Sequence, residues 1–141
     1  MSQNISPKRI IAIGISLGTG PTLELAIKKN LAGIILISPY TSIFNVLTNK
    51  ILNYHIDCNI PYIDTFRNID KIKNLNIPIF LIHGKKDSTI PYSHTVELSQ
   101  EANKRQILWK ALYLELAAHN NIMKLYEKEI YNNILEFINS I

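Results

Sequence analysis

The chain alternates between short, unbroken apolar runs and longer stretches in which apolar residues recur at helical spacing. Four stretches predict strands: Arg9-Ile10-Ile11-Ala12-Ile13, the uninterrupted run Gly33-Ile34-Ile35-Leu36-Ile37-Ser38, Ile77 to Gly84, and Ile107 to Leu116, rich in Ile, Leu, Tyr and Trp. The second and third, apolar with no polar alternation, predict strands buried on both faces, as in a parallel sheet. Pro78 sits at the start of its run, where the missing N–H is tolerated, and Ser38-Pro39 stops the second run.

The stretches between predict helices. Leu23, Leu25, Ala26 and Ile27 follow the first run, with Lys28, Lys29 and Asn30 in the last turn, where cations complement the helix dipole. Asn68-Ile69-Asp70-Lys71-Ile72 reads as a short helix, and Ser93 can cap another that runs to about Ala102. A closing helix is marked by Ile122, Leu125, Tyr126, Ile130, Ile134, Phe137, Ile138 and Ile141, opposite Lys124, Glu127, Lys128, Asn132 and Asn133. Residues 40–59 have no clean period and are expected to form a helical excursion over the sheet edge. Strand and helix alternate throughout, which predicts an α/β fold: about four parallel strands joined by right-handed crossovers and flanked by helices, in a single domain over residues 1–141.

Composition narrows the function classes. A chain of 141 residues that is 47% hydrophobic and 18% charged builds a core and is not a disordered tail. The net charge of +4 comes from Lys and Arg scattered among other residues, not clustered with aromatics, so nucleic acid is not an expected partner. Cys58 is the single cysteine, which rules out a disulfide within the chain and a thiolate metal cage; it reads as a buried or semi-exposed thiol and not as a nucleophile. The four histidines lack ligand spacing, so neither a metal nor another cofactor is expected. With no apolar stretch of transmembrane length and no signal-peptide core at Met1 to Pro7, these residues read as soluble and cytoplasmic.

The chemistry is concentrated in Gly14-Ile15-Ser16-Leu17-Gly18, between the first strand and the first helix. This is the setting of a nucleophile elbow, a tight strand-to-helix turn that lifts a serine hydroxyl above the carboxyl edge of a sheet. Gly14 and Gly18 are expected to relieve the crowding of strand and helix, and the Leu17 N–H to help bind negative charge on a substrate oxygen. A nucleophilic serine needs a base, and the base needs an orienting carboxylate. Asp87 lies on the loop after the third strand and His119 just past the fourth, in the order Ser, Asp, His; parallel strands bring those loops to one edge. Asp87 also suits an ordinary solvated turn, and His119 a plain helix entry. His83 reads as a packed residue that supports the site, and His55 and His94 as surface positions.

These residues resemble the α/β-hydrolases of the alpha/beta-hydrolase-domain-17 group. The likeness runs through Ile5-Ser6-Pro7, Gly14 to Thr22, Ser38-Pro39, Asp64 to Ile72, Pro78 to Asp87 and Ala118-His119-Asn120, nearly the whole chain. The resemblance implies Ser16 as nucleophile, Asp87 as acid and His119 as base. It also implies cleavage of palmitoyl thioesters on membrane-associated proteins, with peripheral contact to membranes. Such enzymes usually precede the histidine with a Gly-x-Gly turn; here the stretch is Leu116-Ala117-Ala118. In that fold four strands precede the elbow strand, with a loop that donates a second oxyanion amide. The resemblance therefore implies the carboxyl-terminal half of a hydrolase, the N-terminal half of the usual sheet missing. The elbow strand would then be open to pairing with that half or with another chain.

The expected function is hydrolysis of carboxylic esters or thioesters through an acyl-enzyme on Ser16, weak or absent in these residues alone for want of the second amide. The competing reading is a non-catalytic module that binds a partner or an acyl chain at its open sheet edge. A different ester or a peptide as substrate remains compatible with the same fold.

Overall fold

The computed structural model describes residues 5–46 and 67–141. The strands are β1 (Ile11–Ile15), β2 (Gly33–Ile37), β3 (Ile79–Gly84) and β4 (Leu108–Leu114). The helices are α1 (Thr19–Lys28), α2 (Asn68–Ile72), α3 (Ser93–Lys104), α4 (Ile122–Leu125) and α5 (Glu127–Ser140). All strand pairs are parallel, in the spatial order β1-β2-β3-β4. Because all four strands run parallel, every loop that leaves a strand's carboxyl end opens on one edge of the sheet.

Two of the four runs, β2 and β3, are inner strands for the expected reason; among the described residues β1 and β4 are the edges and are only partly buried. Every residue of β2 and β3 is buried, and alternate side chains feed two cores. Ile34 and Leu36 pack with Leu23 of α1, Ile72 of α2 and Leu98 of α3. Ile35 and Ile37 face the other way, with Phe80, Ile130 and Phe137. On that second face Phe80 meets the Trp109 ring edge-on at 5.0 Å, and Phe137 tilts against Trp109 at 5.2 Å.

Three local expectations are corrected. The first strand begins at Ile11, not Arg9, because Pro7 opens a 3-10 turn over Pro7–Arg9; the N–H groups of Arg9 and Ile10 bond back to the carbonyls of Ser6 and Pro7, both at 2.9 Å. Ser93 does not cap α3. Tyr92 precedes it, and the first-turn N–H groups of His94 and Thr95 are satisfied by the carbonyls of Pro91 and Tyr92. The closing helix is two helices, broken at Tyr126, whose φ of −124° and ψ of 26° are not helical. Of the expected excursion over 40–59, residues 43–46 are helical; residues 47–66, with His55 and Cys58, lie outside the described residues.

Along β1, Ile11 and Ala12 touch the two cores, yet Ile13 and Ile15 are each 51% exposed. Both lie on the face of Ile11. Among the described residues no strand pairs with the outer edge of β1. No described helix is long and apolar enough to cross a membrane.

Candidate active site

Ser16 directly follows β1 in a left-handed conformation, with φ 52°. A residue other than glycine occupies that region at a cost, and such strain concentrates where a side chain must be aimed. Its surroundings hold it there. The Thr19 hydroxyl donates to the Ser16 carbonyl at 2.7 Å, the Thr22 hydroxyl to the Gly18 carbonyl at 2.9 Å, and the Tyr40 hydroxyl to the Leu17 carbonyl at 3.4 Å. Leu17 follows in the short 3-10 turn Ser16–Gly18, ahead of the amino end of α1. The two elbow glycines are unequal. A Cβ on Gly14 would lie 2.5 Å from Thr22 Oγ1 and 2.8 Å from the Gly18 carbonyl oxygen, whereas one on Gly18 would meet nothing within 4 Å. The expectation that both glycines relieve crowding thus holds for Gly14 and not, among the described residues, for Gly18.

Asp87 is 6% exposed in the loop after β3. Oδ1 accepts the N–H groups of Thr89 at 2.9 Å and Ile90 at 2.8 Å. Oδ2 lies 2.7 Å from His119 Nδ1 and 3.3 Å from His83 Nε2. Burial by itself would raise this carboxyl group's pKa; the bonds from His83, the Ile90 N–H and His119 outweigh it and bring it down to about 2. Asp87 is therefore an anion and an acceptor at neutral pH.

That charge fixes the tautomer of His119. A carboxylate only accepts, so Nδ1 carries the proton, and Nε2 turns its lone pair to Ser16 Oγ, 3.0 Å away. Three residues from three strand ends, 103 positions apart in sequence at the extremes, form one hydrogen-bonded line.

His119 reaches its place without glycines. None of Leu116, Ala117 and Ala118 has a positive φ, so this turn does not require them. Side chains close it instead: the Ala118 N–H donates to Asn121 Oδ1 at 2.8 Å and the Leu116 N–H to the Tyr126 hydroxyl at 3.1 Å. The break before α5 is where Tyr126 sits. The loop is also stitched to that of Asp87, the N–H groups of Lys85 and Lys86 donating to the carbonyls of Leu114 and Ala117, both at 2.9 Å. Gly84 makes this possible, since a Cβ there would lie 2.3 Å from the Ala117 carbonyl oxygen.

His83 is packed as expected, fully buried at the end of β3. His94 is not at the surface. It too is fully buried, Nδ1 taking the Thr41 N–H at 3.3 Å and lying 2.8 Å from the Thr41 hydroxyl. Thr95, Asn121 and Tyr126 support the site through His83, Leu116 and Ala118, and sequence reasoning did not single them out for it.

A parallel sheet flanked by helices on both faces, with a left-handed serine leaving one strand and carboxylate and imidazole on the loops after two others, is an α/β-hydrolase arrangement. The chain belongs to the prolyl oligopeptidase family (Peptidase_S9), whose profile matches residues 2–141. It is 33% identical over 135 residues to human alpha/beta hydrolase domain-containing protein 17B, covering 94% of this chain and 41% of that protein. Mouse alpha/beta hydrolase domain-containing protein 17C is likewise 33% identical, with 37% of its length covered. The chain thus spans about two-fifths of the length of these relatives. Among solved structures, an acylaminoacyl peptidase of Pyrococcus horikoshii superposes with a TM-score of 0.74 at 16% identity, over 95% of this chain and 24% of that one. An esterase of Pyrococcus furiosus does so with a TM-score of 0.67 at 18% identity, over 94% and 54%.

Proposed function

We propose that the chain carries the catalytic machinery of a serine hydrolase that cleaves carboxylic esters or thioesters, acyl-protein thioesters among them. The reading rests on one observation: the unbroken line Ser16 Oγ to His119 Nε2 at 3.0 Å and His119 Nδ1 to Asp87 Oδ2 at 2.7 Å. Family membership and the resemblance to the domain-17 group support it.

As Ser16 Oγ attacks the acyl carbonyl carbon, its proton passes to His119 Nε2, and the imidazolium that forms is stabilised by the Asp87 carboxylate. The tetrahedral intermediate collapses by expelling the alkoxide or thiolate, which takes the proton from His119. Water then repeats the sequence on the acyl-Ser16 ester, releasing the carboxylic acid and restoring the hydroxyl. The Leu17 N–H faces the developing oxyanion, at the positive end of α1.

Turnover by these 141 residues alone is expected to be slow. The fold's second oxyanion amide comes from a loop on the far side of the elbow strand, and the described residues hold no counterpart. Loss of one such donor lowers turnover by about 10²- to 10³-fold. The outer edge of β1, unpaired among the described residues, favours a strand added along it, from the remainder of a longer hydrolase or another chain.

Single-turnover reaction with a nitrophenyl ester and with an acyl thioester tests the function. An acyl group found by mass spectrometry on the peptide holding Ser16, and absent in Ser16→Ala, is the expected result. Folded protein that never acylates supports the binding module instead.

A further inference from the structure

His83 is a buried imidazole that the reaction above does not use, and both its nitrogens are engaged. Nδ1 lies 2.6 Å from the Thr95 hydroxyl of α3; Nε2 lies 2.8 Å from the Ile90 carbonyl oxygen and 3.3 Å from Asp87 Oδ2. A carbonyl and a carboxylate both only accept, so the proton of His83 is on Nε2 and is shared between them.

We propose that His83 is the positioning residue of the acid, delivering a second N–H to the Asp87 oxygen that also receives His119, with Thr95 fixing its ring. The inference rests on the serine-hydrolase reading and deepens it. Geometry gives His83 two holds on Asp87. One is direct. The other runs through Ile90, whose carbonyl His83 secures and whose N–H binds Asp87 Oδ1 at 2.8 Å. Counting Thr89, the carboxylate then receives four donors, the number a carboxylate has sites for, so its plane and the direction of the oxygen facing His119 are determined. The depressed pKa of Asp87, to which His83 contributes, agrees with this.

A residue that merely fills space at the end of β3 would be replaceable by an apolar side chain of similar size; a positioning residue would not. The test compares His83→Phe, which removes the donors, with His83→Gln, whose amide can place an N–H near that of Nε2. The readouts are phosphonylation of Ser16 by a fluorophosphonate, ester kcat and KM, and thermal and acid unfolding. His83→Phe is expected to lower kcat and the phosphonylation rate by about 10- to 100-fold, the worth of one hydrogen bond to a charged group, with KM unchanged. His83→Gln should recover most of that loss.

Losing the donor also raises the folded-state pKa of Asp87, so acid unfolding of His83→Phe should begin at higher pH. The ionisable groups around this cluster are His119 from the loop after β4 and Tyr113 of β4, which lies opposite His83 in register, bonds Ser99 and stacks edge-on with Tyr92. His94 of α3 is engaged by Thr41.

Wild-type rates in His83→Phe would overturn the proposal, as would equal slowing of the Phe and Gln variants that tracks their loss of thermal stability. If His83→Phe fails to fold, Thr95→Val, which keeps volume and removes only the hydroxyl at Nδ1, is expected to lower kcat in the same direction; no change in kcat would overturn the proposal. Wild-type protein separates this from the parent reading. If Ser16 is phosphonylated in wild type and the variants match it, only the role of His83 fails; if wild type is never phosphonylated, the hydrolase reading fails.

Discussion

At Ser16 the backbone is held at φ 52° by neighbours that leave no room for a side chain at Gly14. Gly14→Ala should lower stability by about 1–3 kcal/mol, the usual cost of overpacking, and slow any reaction of Ser16. Gly18 sits at φ −63° in open space, so Gly18→Ala should change thermal stability by no more than about 0.5 kcal/mol. Chemical denaturation of both variants checks the contrast, and equal losses would contradict it. The pattern Gly-x-Ser-x-Gly announced the serine, but it could not tell a glycine that avoids a clash from one that does not. His94 shows the same limit: as a lone polar residue it read as surface, although its place four residues before Leu98 and eight before Ala102 puts it on the buried stripe of α3.

Asp87 adds a pH dependence whose sign follows from its pKa. The folded value of about 2 lies below the model-peptide value of 3.8. Stability from this carboxylate is therefore complete above roughly pH 5 and is lost as pH falls toward 2, amounting to about 2 kcal/mol. Urea midpoints measured from pH 6 to pH 2 should show this loss in wild type. Asp87→Asn, less stable at pH 6, should lack that part of the decline; parallel curves for the two proteins would contradict it.

Among the elements, the loop between β4 and α4 departs most from what its residues announced. Without glycines it is closed by Asn121 and Tyr126, side chains whose contacts span 3 and 10 positions. The apolar periodicity of 122–141 carried no sign that the helix breaks at Tyr126, because α4 and α5 both present apolar residues to the same core. Asn121→Ala combined with Tyr126→Phe should reduce the rate at Ser16 by about 10-fold, each hydrogen bond being worth about 0.5–1.5 kcal/mol. Circular dichroism should remain that of wild type, and an unaltered rate would show that His119 is placed by other means. The inner strands β2 and β3, by contrast, were legible to within two residues, since they are buried along their whole length, whereas the first strand starts two residues later than its apolar run announced.

For the molecule as a whole, all four strands run parallel, and that is why Ser16, Asp87 and His119 share one edge. Strand and helix alternation carried this much from the sequence. What it did not carry is the uneven cover of β1, where Ile11 is packed and Ile13 and Ile15 are half exposed on the same face. An unpaired apolar edge of this kind associates. Sedimentation of the 141-residue chain should show concentration-dependent association that Ile13→Lys with Ile15→Lys suppresses, whereas a wild type that stays monomeric would show the edge to be inert.

The convergence of hydroxyl, imidazole and carboxylate is most directly tested by the rate and position of fluorophosphonate attachment, mapped by mass spectrometry in wild type, His119→Ala and Asp87→Asn. The expected result is one phosphonyl group on Ser16, formed at least about 10²-fold more slowly without the imidazole and slowed again when the carboxylate is neutralised. Attachment to Ser16 at the same rate in all three folded proteins, or attachment to a different residue, would contradict it.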